Sequence, residues 1–389
     1  MEDRVDVAVV GAGPAGSAAA CTAARAGLRV ALVDRAEFPR DKLCGGGVTG
    51  RAVTELRRAF GLEVTPDLFL STPLVRFNAG ARVLGRMEDA PPLHMTMRRG
   101  FDARLYAEAV AAGAWPLARA RPTEIDTDRH QLRLSCGRRL HYGVLIGADG
   151  VNSTVGRHLF GRAHDPATIG FALEVEAPAK SEPWVEIDFA AAPWGYGWAF
   201  PKAGSLTLGV GGLYRHNPDL RPRLAAYLRR HRADPDRLTV RGHFLPAGDF
   251  HPVPGRGAVL LVGDAAGLVD PMTGEGIGHA IASGRMAAEA AVAALDRGRP
   301  EAALSLYTRA LASLQGELAY ARRLQALVFA PLTHRAMLAV IAARPSVQRR
   351  ALCLLAGEID YADLRRGFLR RLAAHATATA LHPLQRRAG

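Results

Sequence analysis

Lysine is almost missing from this sequence: of 50 basic residues only Lys42, Lys180 and Lys202 are lysines, and the others are arginines. So lopsided a ratio, in a chain so rich in alanine, points to a GC-rich coding sequence. The formal net charge of +13 then has two readings. One is an arginine-rich solvated surface. The other is attraction to anionic lipid headgroups or acidic ligands, where each basic residue near a membrane adds about 1 kcal/mol. Nucleic acid is not expected, because no arginine–aromatic platform or reader motif occurs. Cysteine is scarce as well. Cys21, Cys44, Cys136 and Cys353 fall at no metal-ligand spacing and make no disulfide framework. They also leave no set of thiolates for an iron–sulfur cluster, so no metal is expected. No run of about 20 uncharged apolar residues occurs; the best candidate, 324–343, carries His334 and Arg335 in its middle. A strand begins almost at Met1, which leaves no room for a signal peptide and reads as cytoplasmic. With 389 residues, 49% hydrophobic and 22% charged, the chain is globular and long enough for about two or three domains.

A near-continuous apolar run at 5–10 suits a buried parallel strand. Residues 11–16 turn it into an alanine-rich helix that reaches Gly27, and a second strand covers 30–33. Strand, turn, helix and strand in that order open a doubly wound nucleotide fold. A loop with three consecutive glycines (Gly45, Gly46, Gly47) fills 38–50, and a helix follows at 51–60. Alternating segments at 74–84, 93–97, 169–176 and 184–190 predict antiparallel strands. Residues 196–200 and 205–211 predict a hairpin turned by Pro201-Lys202-Ala203-Gly204. Helix 101–112 and strand 142–146 return to the first domain, and from Glu301 the sequence is helical. The expected fold class is α/β: a Rossmann-like nucleotide domain (1–73, 98–166 and 248–297) interrupted by an antiparallel β-sheet substrate domain (74–97 and 167–247). A C-terminal helical region occupies 298–389.

Gly11-Ala12-Gly13-Pro14-Ala15-Gly16 is a GxGxxG placed where it has mechanical meaning, after a strand and opening a helix. Gly11 permits the tight turn, Gly13 lets the backbone approach a pyrophosphate, and Gly16 allows close helix–strand packing. The helix that begins at Pro14 and Ala15 offers unpaired N–H groups to phosphates. Asp34 ends the second strand, where its carboxylate can accept from ribose hydroxyls. This motif alone does not choose between NAD and FAD.

Two later segments carry a resemblance that does. Residues 145–157, LIGADGVNSTVGR with Asp149, are similar to the Asp-Gly motif of flavoenzymes built like para-hydroxybenzoate hydroxylase. Residues 260–267, LLVGDAAG with Asp264, are similar to the Gly-Asp motif of that superfamily. The resemblance implies FAD. Asp264 then bonds a ribityl hydroxyl, and the turn of Gly274, Gly276, Ile277 and Gly278 meets the pyrimidine edge of the flavin with backbone N–H groups. Met97-Arg98-Arg99-Gly100-Phe101-Asp102 resembles an Arg-x-x-Phe-Asp segment, which implies that Arg98 lies near the cofactor while Arg99 faces solvent. His279 either stands behind the groups that touch the flavin or is a packed or exposed helix residue.

Within that superfamily the chain resembles the geranylgeranyl reductase family. The likeness rests on Asp41-Lys42-Leu43-Cys44-Gly45-Gly46-Gly47, on Tyr196-Gly197-Trp198-Ala199-Phe200-Pro201-Lys202, and on a Gly-Asp segment that continues as AGLVDPMTGEGI. It covers roughly residues 5–295. The implied reaction saturates carbon–carbon double bonds of an isoprenoid lipid or prenylated small molecule, with electrons from NADPH or a ferredoxin-like reductant. Cys44, Tyr196 and Trp198 are the implied catalytic residues, and Cys44, Gly45 and Gly46 form a loop against the flavin. Trp194, Tyr196, Trp198 and Phe200 alternate, so one sheet face should present several rings as a channel wall, as core, or as both. Cys21, Cys136 and Cys353 read as structural. A monomer with peripheral membrane contact is expected. An aromatic hydroxylase shares the Asp-Gly and Gly-Asp motifs. The Tyr196–Pro201 segment echoes a flavin halogenase motif, but the halogenase's active-site lysine has no clear match in this chain, and a non-catalytic flavoprotein is the remaining alternative.

Overall fold

The computed structural model describes residues 2–178 and 183–366. Its first sheet has a parallel core in the order β18 (Val259–Leu261), β11 (Arg139–Gly147), β1 (Glu2–Val10), β2 (Val30–Val33) and β8 (Trp115–Leu117). Strand β17 (Gly255–Arg256) closes one edge, and β9 (Pro122–Asp126) with β10 (Gln131–Leu134) extends from β11. Residues 7–10, 30–33 and 144–146 are buried on both faces, as their unbroken apolar runs require. Strand order reverses between β1 and β11, and in open sheets of this kind ligands bind beyond that switch point. Helices α1 (Pro14–Arg25), α2 (Gly50–Phe60), α3 (Arg98–Ala111), α4 (Thr154–Phe160) and α6 (Ile277–Leu295) belong to this domain. A Cβ on Gly284 of α6 would lie 2.0 Å from the Ala15 carbonyl oxygen of α1, so these two helices meet backbone to backbone.

The second sheet runs β16 (Arg241–Leu245), β12 (Gly170–Pro178), β15 (Ser205–Leu213), β14 (Gly195–Lys202), β13 (Val185–Asp188), β5 (Val75–Ala79) and β6 (Arg82–Met87). One face carries Leu173, Val175, Leu208 and Val210, which pack on Leu224 and Leu228 of α5 (Arg221–Arg230). The register sets what the other face holds. Ala172 pairs with Gly211 and Gly211 with Tyr196; Glu174 pairs with Gly209 and Gly209 with Trp198; Glu176 pairs with Thr207 and Thr207 with Phe200. Rings and carboxylates therefore share the face opposite α5, with glycines between them.

Three expectations need correction. Residues 74–84 are not one strand but parts of β5 and β6, because Gly80 turns the chain with φ +66°. Strand β7 (Leu93–Met95) joins a third small sheet with β3 (Gly47–Val48) and β4 (Leu70–Thr72) instead of the large one. Trp194 departs from the ring row: its φ of +51° precedes β14, and its ring stacks on His216 at 5.1 Å.

The C-terminal region is helical, with α7 (Ala302–Phe329), α8 (Pro331–Ala343) and α9 (Pro345–Leu355). Pro331 and Pro345 each sit in the first turn of a helix, where a proline is tolerated and a preceding helix stops. Helices α7 and α8 meet at 91°, and no single described helix is long and apolar enough to cross a membrane. Residues 367–389 of the region, and Lys180, lie outside the described residues. Gly284→Val should force α1 and α6 apart and cost about 1–3 kcal/mol or more. The check is a melting curve, and an unchanged midpoint would contradict this packing.

Candidate active site

The three glycines of the first turn have three different surroundings. A Cβ on Gly11 (φ +100°) would meet the Ala148 carbonyl oxygen at 2.3 Å, and one on Gly16 the Gly11 carbonyl oxygen at 1.7 Å. Both positions are closed by the protein itself. At Gly13 the nearest atom would be Arg40 Nη2, 3.6 Å away. Gly13 therefore borders open space in front of the α1 N-terminus, which no side chain caps. Arg40 leans over the Phe38 ring, with its Nη1 3.2 Å from Asp102 but in no hydrogen bond. Arg40 Nη2 and the uncapped helix N–H groups face one space and make an anion site. Asp34 takes Ala12 N–H at 2.7 Å and Ala36 N–H at 2.8 Å, which fastens the turn to the end of β2.

Asp149 has a local occupation. Its oxygens accept from Ser153 Oγ, Thr154 N and Val155 N at the start of α4, while burial raises its pKa. Arg98 is buried and forks onto Asp102 at 2.6 and 2.8 Å, beside Cys44. Arg99 is exposed and faces Asp41 at 3.6 Å.

The Cys44 loop is held from both sides. Cys44 N–H donates to Glu174 Oε1 at 2.9 Å, and Lys202 Nζ donates to the Gly45 carbonyl. Gly46 N–H donates to Cys44 Sγ at 3.4 Å, and Thr96 N–H to the Gly46 carbonyl at 2.8 Å. Gly46 has φ +71°, and a Cβ there would lie 2.1 Å from the Thr96 oxygen, so only glycine serves. Burial pushes the Glu174 carboxyl up to about 7, against the lowering effects of Cys44 N–H, Lys202 and Lys42. Burial brings Lys202 down to about 8. Next to them Lys42 Nζ lies 2.5 Å from His243 Nε2. Burial, followed by the charges of Lys42, Arg98 and Arg35, lowers His243 to about 4. Lys42 and Lys202, two of the three lysines in the chain, thus converge on one loop. Sequence reasoning did not find Arg40, Glu174 or His243. Lys202, expected in the turn and at the end of the family-like Tyr196–Lys202 segment, pairs with Ser205 inside the hairpin.

The rings stand on the same sheet face as Glu174 and Lys202, against this loop. Tyr196 and Trp198 meet edge to face at 6.0 Å, and Trp198 is 6.5 Å from Phe200. Trp198 Nε1 is buried without a hydrogen-bond partner, and a Cβ on Gly45 would lie 3.1 Å from it. Tyr196 Oη donates to the Thr273 carbonyl at 2.5 Å, beside Gly274 (φ +72°), whose Cβ would come within 2.5 Å of it. A Cβ on Gly276 would sit 3.6 Å from Asp264 Oδ1, and one on Gly263 3.1 Å from the Ala15 Cβ. Ile277 then opens α6 with no side-chain cap, while Gly278 lies where α2 and α6 touch. The first turn, the Gly-Asp segment, the second glycine turn, the ring row and the Cys44 loop are consequently continuous.

A narrow apolar cleft opens between Tyr196, Trp198, the 269–274 turn, and Gln325 and Phe329 of α7. Its turn is fixed by Asp270, which accepts from Met272 N, Thr273 N and Tyr361 Oη. His279 is buried with Nδ1 2.9 Å from the Leu268 carbonyl oxygen, a packed residue. Of the other cysteines only Cys21 is buried; Cys353 is partly exposed and Cys136 exposed.

Residues 6–70 match the FAD dependent oxidoreductase family. A menaquinone reductase of Mycolicibacterium smegmatis is 35% identical over 316 residues, 74% of this chain and 76% of its own. A geranylgeranyl diphosphate reductase of Rhodobacter capsulatus is 34% identical, over 76% of this chain and 77% of its own. The crystal structure of a geranylgeranyl bacteriochlorophyll reductase-like protein of Thermoplasma acidophilum superposes with a TM-score of 0.78 at 21% identity, over 91% and 96% of the two chains. The chain belongs to the geranylgeranyl reductase family of FAD-dependent oxidoreductases. The open side of Gly13, the Arg40 and Trp198 nitrogens that make no hydrogen bond, and the two uncapped helix starts fit a cofactor rich in acceptor oxygens and nitrogens.

Gly13→Val should abolish flavin binding, and Asp264→Ala should weaken it about 10- to 150-fold through a lost hydrogen bond. Both are read from flavin absorbance after gel filtration; full retention by both would overturn the cofactor site. A second expectation concerns pH. The raised Glu174 pKa means that the fold favours its protonated form, so stability is complete in acid and falls as pH rises to about 7. Glu174→Gln keeps an acceptor for Cys44 N–H and removes that loss. Its melting temperature should gain on the parent between pH 5 and 7 and hold a constant lead above.

Proposed function

We propose that this enzyme saturates carbon–carbon double bonds of an isoprenoid chain, such as a geranylgeranyl lipid or a prenyl quinone tail. The observation that carries this reading is the cleft: Tyr196 and Trp198 line it, and Trp198 also stands against Gly45 of the Cys44 loop. An unactivated alkene offers nothing to a hydrogen-bond donor, so an apolar cleft must orient it by shape. The names of the relatives, menaquinone reductase and geranylgeranyl diphosphate reductase, support the same substrate class. Reduced FAD, when bound, supplies the hydride.

The chain supplies the proton. Tyr196 has its O–H committed to the Thr273 carbonyl. Cys44 Sγ accepts from Gly46 N–H and stands against the Arg98 guanidinium, and its S–H donates to no protein acceptor among the described residues. The geometry therefore favours Cys44 as the acid that protonates the second alkene carbon. Trp198, whose indole N–H turns to Gly45, positions the chain and the loop relative to each other. Electrons enter from NADPH or a ferredoxin-like protein, both anionic and suited to a basic surface.

Cys44→Ala should keep FAD and lower prenyl-bond reduction by about 10²–10⁴, the usual loss when a positioned acid is removed. The measurement is single-turnover oxidation of prereduced enzyme by a prenyl substrate without oxygen. A rate near that of the parent would remove Cys44 from the reaction. Oxygen uptake coupled to substrate, with a hydroxylated product, would overturn the proposed activity itself.

A further inference from the structure

Residues 318–357 contain no aspartate or glutamate, yet hold Arg322, Arg323, Arg335, Arg344, Arg349 and Arg350. This stretch builds the elbow between α7 and α8. The outward side of α8 consists of Leu332, Arg335, Ala336, Ala339, Val340 and Ala343, all exposed. A solvated helix face is ordinarily polar; this one has a single charge. Leu332 is 97% exposed, and Leu327, just before the bend, 47%. The inward side of α8 already has partners, since Leu338 and Ile341 pack with Leu84 and Met87 of β6. Arg323, Arg335 and Arg344 make no ion pair among the described residues, and Arg349 pairs with Asp89 at the far end. Gln325 and Phe329 of the same α7 turns line the substrate cleft, so a single helix separates the cleft from this face.

We propose that the α7–α8 elbow is a membrane-docking surface for anionic phospholipid. Leu327, Leu332 and Val340 enter the headgroup–acyl boundary, and Arg323, Arg335 and Arg344 meet lipid phosphates. A helix of 13 residues is about 20 Å long, too short to span a bilayer and suited to lying in its surface. The charge chooses the partner: an apolar face rimmed only by arginines is complementary to anionic headgroups. The inference deepens the proposed activity and rests on it for the cargo, an isoprenoid chain drawn from the bilayer into the cleft behind α7.

The test is co-flotation of the flavin-loaded full chain with vesicles of phosphatidylcholine alone or mixed equally with phosphatidylglycerol. The parent should favour the anionic vesicles by about tenfold or more at low salt and lose that preference at high salt. Leu327→Ser with Leu332→Ser should lower binding about tenfold or more. Arg323→Gln, Arg335→Gln and Arg344→Gln together should lower it about 100-fold, at roughly fivefold per arginine. All variants should keep flavin and reduce detergent-dispersed prenyl substrate at the parent rate. Equal binding to both vesicles, variants that bind like the parent, or self-association through Leu332 in place of vesicle binding would overturn the proposal. A parent that reduces dispersed substrate but ignores vesicles loses this inference alone. One that binds vesicles but reduces no prenyl bond loses the activity alone.

Discussion

A loop of three successive glycines has no side chains to pack, so its shape must be imposed from outside. Glu174 and Lys202 impose it, one holding the Cys44 N–H and the other the Gly45 carbonyl. They come from β12 and β14, with β15 between them, and reach the same loop only because the sheet register puts both on one face. A slip of one residue would turn every such side chain to the α5 side. Much of the second sheet, antiparallel except where β13 meets β5, thus serves one backbone segment. Burial raises the carboxylate and lowers the ammonium, so both groups change charge near neutral pH, beside the only cysteine in the site.

The opposite lip of the cleft is held by a different part of the chain. Gln325 of α7 donates to the Pro271 carbonyl, Tyr361 to Asp270, and Tyr196 to the Thr273 carbonyl. Three elements distant in sequence therefore fix a turn of four residues. The C-terminal helices carry no signature in the sequence, but in the structure they complete the wall of the site.

What was legible in the sequence was whatever local chemistry dictates. The Gly11–Gly16 turn, strand 30–33 and the α2 helix fall within a residue of their expected bounds, because glycine spacing and apolar runs act locally. The hairpin at Ala203-Gly204 was legible for the same reason. Glu174 was not. It sits in an alternating strand whose polar positions look solvated, and only the docking of two domains makes its face an interior. Arg40 was hidden among so many arginines, and only the open side of Gly13 singles it out. The Gly80 turn was missed because apolar residues continue on both sides of it.

The scarcity of lysine acquires a different meaning at Lys202. A coding sequence drifting toward arginine replaces lysine freely wherever a cation only needs to be wet. At Lys202 the cation is buried and its pKa is brought down to about 8, a shift that a guanidinium, charged at any ordinary pH, cannot match. Its nitrogen also donates to the Gly45 carbonyl and sits where a Cβ on Gly46 would be only 2.7 Å away. Compositional drift has run against a protonic wall here, and Lys202 marks where that wall stands.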